Sequence, residues 1–164
     1  MVKRKSLDGD VCAIARSLNI IGDWWSLLII RDAMAGVSRF GEFQKSLGLA
    51  KNILTVRLKA MTEEGILAVV PASDGSAYSE YELTEKGRSL LPVLVALGQW
   101  GAEYLYEPNE EESVPLDAKR MRPLRKLELK SEDGRKLHQD DVFMPKNVIL
   151  EASPSTTRKT AARA

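Results

Sequence analysis

Apolar positions recur along this chain at two spacings, and the switches between them mark its elements. From Val11 to Met61 apolar residues return every three or four positions, the period of helices packed through one face. After Gly65 the pattern becomes alternating, as in paired strands, and from Thr84 to about Tyr106 it is helical again.

The first helix is expected to be capped by Asp10 and to run to about Ile21, with Val11, Ile14, Ala15, Leu18 and Ile21 as its stripe. Gly22 breaks it. Trp24 to Met34 is the most apolar segment and reads as the core helix. Gly36 ends that helix, and Ser38 is placed to cap a short one over Arg39–Leu47 that buries Phe40, Phe43 and Leu47. The turn Gly48-Leu49 leads into a further helix that turns Leu54, Leu58 and Met61 inward and stops at Gly65. A short helix, a brief turn and a second helix with a polar outer face form the helix-turn-helix pattern.

Ile66–Val70, a turn-rich Pro71–Ser76 and Tyr78–Leu83 then read as a β-hairpin, the wing of a winged helix. Its tip carries Asp74 and no Lys or Arg, so weak phosphate contact is expected there. Thr84 and Glu85 start a last long helix, expected to reach Tyr106 with a kink at Pro92. Its broad apolar surface includes Leu94, Leu97, Trp100, Gly101 and Tyr104. With Val11, Ile14 and Leu18 of the first helix it forms a candidate dimer interface, the alternative being a helix buried within its own subunit.

The fold class is therefore mainly α with a small β-hairpin: a dimeric winged helix-turn-helix with a small C-terminal β appendage. A chain of 164 residues with 44% apolar content can bury one core. The expected division is a basic arm at 1–9, the winged-helix and dimerisation domain at 10–106, a charged linker at 107–121, a β appendage at 122–150 and a disordered tail at 151–164. In the appendage Arg122–Lys130 alternates like a strand, Asp133-Gly134 marks a turn, and Arg135–Leu137 reads as a return strand.

Charge narrows the chemistry. A formal net charge of +1 means that nucleic-acid binding must come from local patches. The outer face of the helix after Gly48 is such a patch, free of carboxylates: Asn52 can pair with adenine, Thr55 and Val56 can touch a thymine methyl, and Lys51 and Lys59 can meet phosphate. Asn52, Thr55 and Val56 are candidate base contacts, and Arg39, Lys51, Arg57 and Lys59 candidate phosphate contacts. The plain alternative is the ordinary polar face of an amphipathic helix.

With one histidine and one cysteine, a His/Cys zinc site lacks residues, a nucleophilic triad would have to rest on His138, which lies in a polar, charged segment far in sequence from any cleft-like element, and no phosphate-cradling glycine motif is present. No enzyme activity, cofactor or metal is expected. Cys12, near a helix start and one turn before Arg16, is either a redox-responsive thiol or a small packing residue. Trp24 and Trp25 cannot share one helix face, so they either pack or border a ligand pocket. No apolar run approaches the ~18 residues of a membrane span, so a cytoplasmic protein without a membrane partner is expected.

Cys12, Ile21-Gly22, Trp25, Leu28–Arg31, Arg39-Phe40, Phe43, Leu54-Thr55, Arg57-Leu58, Glu64–Ile66, Tyr81–Gly87 and Trp100-Gly101 together resemble the HxlR family, winged-helix transcription regulators related to the MarR group. The resemblance spans about residues 10–106. It implies a homodimer on double-stranded operator DNA, with an oxidant, electrophile or small aromatic effector, and Cys12 at the position that serves as the sensing thiol in some members. The chain departs from the pattern at Asp23-Trp24, where many members have Gly-Lys, and at Ala50, where a serine usually caps the reading helix. The wing lacks the usual arginines, and the appendage lacks the cysteines that could hold a metal in some members. A partner-docking winged helix that does not bind DNA is the alternative function.

Overall fold

The computed structural model describes residues 6–144. Lys3, Arg4 and Lys5 of the expected arm, the end of the appendage and the expected 151–164 tail lie outside the described residues. The elements run α1 (Ala13–Ile21), α2 (Trp24–Met34), α3 (Phe40–Leu47), α4 (Lys51–Glu63), β1 (Leu67–Pro71), β2 (Ser79–Leu83), α5 (Glu85–Arg88), α6 (Leu91–Tyr104), β3 (Leu116–Asp117) and β4 (Arg122–Pro123). The chain is mostly helical with a small antiparallel hairpin, a winged helix-turn-helix.

α2 is the axis of the core. Ile29 and Ile30 are fully buried against Phe43 of α3, Leu54, Leu58 and Met61 of α4, and Ile66 and Leu67 at the hairpin. Asp23 caps α2 by accepting the Ser26 N–H at 3.0 Å and the buried Ser26 hydroxyl at 2.6 Å. α1 begins later than expected, with Cys12 at the cap position and Asp10 accepting the Cys12 N–H at 2.8 Å. α3 is entered through Arg39 rather than Ser38. Glu42 reaches back to accept the N–H groups of Arg39 at 3.0 Å and Ser38 at 3.2 Å, satisfying donors that the helix leaves open.

The freed Ser38 carbonyl accepts the Tyr81 N–H at 2.8 Å, which fastens the start of the helix-turn-helix to the wing. β1 and β2 pair with Leu67 opposite Leu83 and Val69 opposite Tyr81. The hairpin starts at Leu67 because Ile66 still closes α4: Gly65 turns left-handed at φ 66° and the Ile66 N–H returns to the Met61 carbonyl at 2.9 Å.

The expected long last helix is two helices. α5 ends at Arg88, and Pro92 falls in the first turn of α6, where a missing N–H breaks no bond, so it starts a helix instead of kinking one. Thr84 joins this region to α4, accepting the Gly87 N–H at 3.1 Å and donating to the Gly65 carbonyl at 2.7 Å. Gly87 is buried, and a Cβ there would lie 2.3 Å from the Ile66 carbonyl oxygen.

The C-terminal segment differs most from expectation. β3 lies inside the stretch expected to be linker and pairs with β4, so the expected division at 121/122 falls within a paired unit. Residues 124–129 form no strand; they run beside α6, where the Gln99 side-chain amide donates to the Arg125 carbonyl and accepts the Leu127 N–H, both at 2.8 Å. An amide side chain thus stands in for a neighbouring strand. Around the Asp133-Gly134 turn Lys130 and Lys136 form an isolated bridge, flanked by the Ser131 N–H on the Arg135 carbonyl and the Leu137 N–H on the Leu129 carbonyl, both at 2.9 Å.

Candidate DNA-reading surface

α4 divides by periodicity into two faces. Leu54, Leu58 and Met61 are buried, which fixes the helix rotation and leaves Lys51, Asn52, Thr55, Val56 and Lys59 exposed on the other side. Val56 is 61% exposed, high for an aliphatic side chain in a folded helix. Thr55 donates to the Lys51 carbonyl at 2.8 Å, so its hydroxyl oxygen and methyl remain available. Ala50 supplies no side-chain cap; of the first-turn N–H groups, that of Ile53 bonds the Ala50 carbonyl at 3.0 Å, and those of Lys51 and Asn52 have no side-chain acceptor.

The four cations expected at phosphates are differently placed. Lys51 is exposed with no carboxylate partner among the described residues. Lys59 lies 3.7 Å from Glu63 one turn on, an exposed pair that holds it loosely. Arg57 is committed to the fold: its Nη1 lies 3.1 Å from Asp23 Oδ2, tying α4 to the cap of α2.

Arg39 is committed to the wing. Its Nε lies 3.0 Å from Glu80 Oε1 and its Nη2 2.7 Å from Asp74 Oδ2. Glu80 is only 5% exposed and also accepts the Ser73 hydroxyl at 3.2 Å. Hydrogen bonding from Ser76, then from Arg39, holds the Asp74 carboxyl far below the usual aspartate range. The bonds to Asp74 and then Glu80 push the Arg39 guanidinium further up. Sequence reasoning placed Asp74 at the wing tip but not its partner, and it missed Glu80.

The other candidate residues separate by exposure. Val11, just before α1, and Ile14 and Leu18 on it are exposed, as are Leu97, Trp100 and Tyr104 on α6, where the Trp100 and Tyr104 ring centroids lie 5.8 Å apart with the rings tilted at 42°. Gly101 is half-buried, and Leu94 packs against the core of its own chain. Cys12 is partly exposed, and Arg16 bonds through Nε to the Asp10 carbonyl rather than standing free for the thiol. Trp25 packs on the core while Trp24 is 75% exposed, and the cavities of about 330 and 930 Å3 are lined by other residues. No single helix among the described residues is long and apolar enough to cross a membrane.

The order of helices, the wing and the exposed α4 face have a counterpart among known proteins. The model of the HxlR-like helix-turn-helix family matches residues 20–109, more than half of the chain. The chain belongs to this family.

HxlR-like proteins are helix-turn-helix transcription regulators related to the MarR group. The chain is 43% identical over 97 residues to the uncharacterised HTH-type transcriptional regulator Mb3122 of Mycobacterium bovis, a match spanning 59% of this chain and 61% of the relative. Among solved structures it is similar to PA1607, described as a candidate transcription factor, with 45% identity, a TM-score of 0.80 and coverage of 86% of this chain and 99% of that one. That match is too long to stop at residue 109, so the likeness takes in part of the C-terminal segment as well. It is also similar to the redox regulator HypR in its oxidized form, at 27% identity and a TM-score of 0.53, over 58% of this chain and 98% of that one.

Proposed function

We propose that this HxlR-like chain is a homodimeric transcriptional regulator that reads a pseudo-palindromic operator through α4. The observation that carries this reading is the uncovered face of α4, where Asn52, Thr55 and Val56 stand exposed beside Lys51, on a helix held by three buried residues. Asn52, Thr55 and Val56 touch base edges; Lys51, and Lys59 on release from Glu63, meet phosphate. Arg39 contributes to phosphate binding only when it leaves Asp74.

The exposed stripes of α1 and α6 supply the second copy's seat, and a two-fold axis then sets two α4 helices about one DNA turn, ~34 Å, apart. An oxidant acting on Cys12, or a small molecule, is the signal that changes operator binding. Light scattering and operator binding of Leu18→Glu and Trp100→Glu test the assembly. Both variants become monomeric and lose specific binding together; a dimer that persists in both removes these faces from the interface.

A second reading, a winged helix that docks a protein partner without binding DNA, is supported by one feature. The acidic wing tip takes Arg39 away from any phosphate. Absence of salt-dependent retention on a DNA column would favour it.

A further inference from the structure

α6 and the segment that follows it border an open cleft of about 330 Å3. Its floor is Val95, which is buried although it lies outside the main core cluster, so the C-terminal segment and not the core covers it. Ala102 on the helix, with Val114, Pro115 and Leu124 on the segment opposite, completes an apolar wall. The wall is anchored. Gln99 grips the backbone at Arg125 and Leu127, and Lys126 pairs with Glu103 one turn further along α6. Pro115 also packs where Gly98 leaves room, at 3.7 Å from the position a Cβ would take.

The charged groups on this slot are Glu103, Glu112 and Lys126, two carboxylates against one ammonium. Hydrogen bonding from Lys126 keeps the Glu103 carboxyl below its ordinary range, so that pair is fully charged at neutral pH. Glu112 has no ion pair among the described residues. A slot with apolar walls and one unmatched carboxylate selects for an apolar body carrying a single positive charge. An anion would have to displace Glu103 from Lys126 while facing Glu112. A volume at the lower end of the ~300–1,000 Å3 range of ligand clefts suits one or two fused rings.

We propose that the slot between α6 and the C-terminal segment binds a small hydrophobic cation, an aromatic or alicyclic amine, with its rings between Val95 and Leu124 and its ammonium at Glu112. The ligand bridges the helix and the segment packed on it. The site stands apart from α4 and does not depend on the DNA-binding reading.

Titration calorimetry of the full chain with 1-naphthylmethylammonium tests this, with 1-naphthylacetate as the anion of the same ring system. The cation is expected to bind saturably at one per chain and at least tenfold more tightly than the anion. Glu112→Gln, an exposed and conservative change, weakens the cation about tenfold, and Ala102→Phe, which fills the slot, abolishes binding; thermal melts establish that both variants are folded. Equal binding of cation and anion, no binding of the cation, or binding untouched by both substitutions overturns the proposal. An Ala102→Phe chain that changes its oligomeric state, while the wild type ignores the naphthyl cation, assigns the slot to a second copy and overturns it equally.

Discussion

Arg39 Nε and Glu80 Oε1 lie 3.0 Å apart although 41 positions separate the residues in the chain. The pair joins the entry of α3 to the start of β2, beside the Ser38 to Tyr81 backbone bond. The wing is therefore part of the helix-turn-helix unit, and a change in one is felt in the other.

Glu80→Ala removes a buried acceptor from Arg39 and Ser73. Charge-assisted bonds to a buried carboxylate make this a loss of about 1–3 kcal/mol in unfolding free energy. Urea denaturation followed by circular dichroism reads it, and an unchanged midpoint would mean that the wing is held by its backbone alone.

Asp74→Asn acts on the exposed half of the same cluster. It releases Arg39 toward phosphate while leaving the Glu80 bond, so operator affinity rises and the slope of log K against log salt steepens by roughly 0.9, one more phosphate contact. The folded-state carboxyl is depressed from the ordinary 3.8. Its stabilisation is thus present above that value and lost as pH falls toward the folded one. The wild type therefore loses more stability between neutral pH and pH ~3 than Asp74→Asn does. Matched urea midpoints at the two pH values check the sign.

Gly87→Ala tests the junction of α4, wing and α5. The added Cβ would meet the Ile66 carbonyl oxygen at 2.3 Å and Leu83 Cδ2 at 2.8 Å, and the first of these is backbone that cannot rotate away. Overpacking of this kind costs about 1–3 kcal/mol, read as a fall in melting temperature. An unchanged melting temperature would contradict the tight contact.

Gln99→Leu removes both bonds that hold residues 125 and 127 to α6. Amide exchange at Leu127 rises by an order of magnitude or more while exchange in α2 and α4 is unchanged. Equal protection in the variant would show that Lys126 and Glu103 suffice.

The helical stretches were readable because their apolar positions repeat every three or four residues over several turns. The α4 face is the clearest case: three buried positions determine which side carries Asn52 and Val56. The hairpin was legible from alternation and the Asp74-Gly75 turn. Burial of Glu80 was not, because its cause is an arginine 41 positions away and the local pattern only marks it as polar. Arg57 had one signal, its place at the edge of the buried face, but its partner Asp23 belongs to another helix. Pro92 misled because apolar spacing continues through Leu90 and Leu91, hiding the break between α5 and α6. β3 and β4 are two residues each, too short for any period, and the alternation of Arg122–Lys130 reflects a segment lying along α6 rather than a long strand.

The central claim is that α4 reads DNA. Fluorescence anisotropy of the purified full chain, on labelled DNA from its own upstream region and on a scrambled duplex, tests it over a salt series. The expected result is tight binding to the upstream DNA that weakens steeply with salt, a shallower slope in Lys51→Ala, and a loss of ~1–3 kcal/mol of discrimination at one base pair in Asn52→Ala. Equal, salt-insensitive binding to both duplexes, or specific binding that neither substitution alters, would contradict the account.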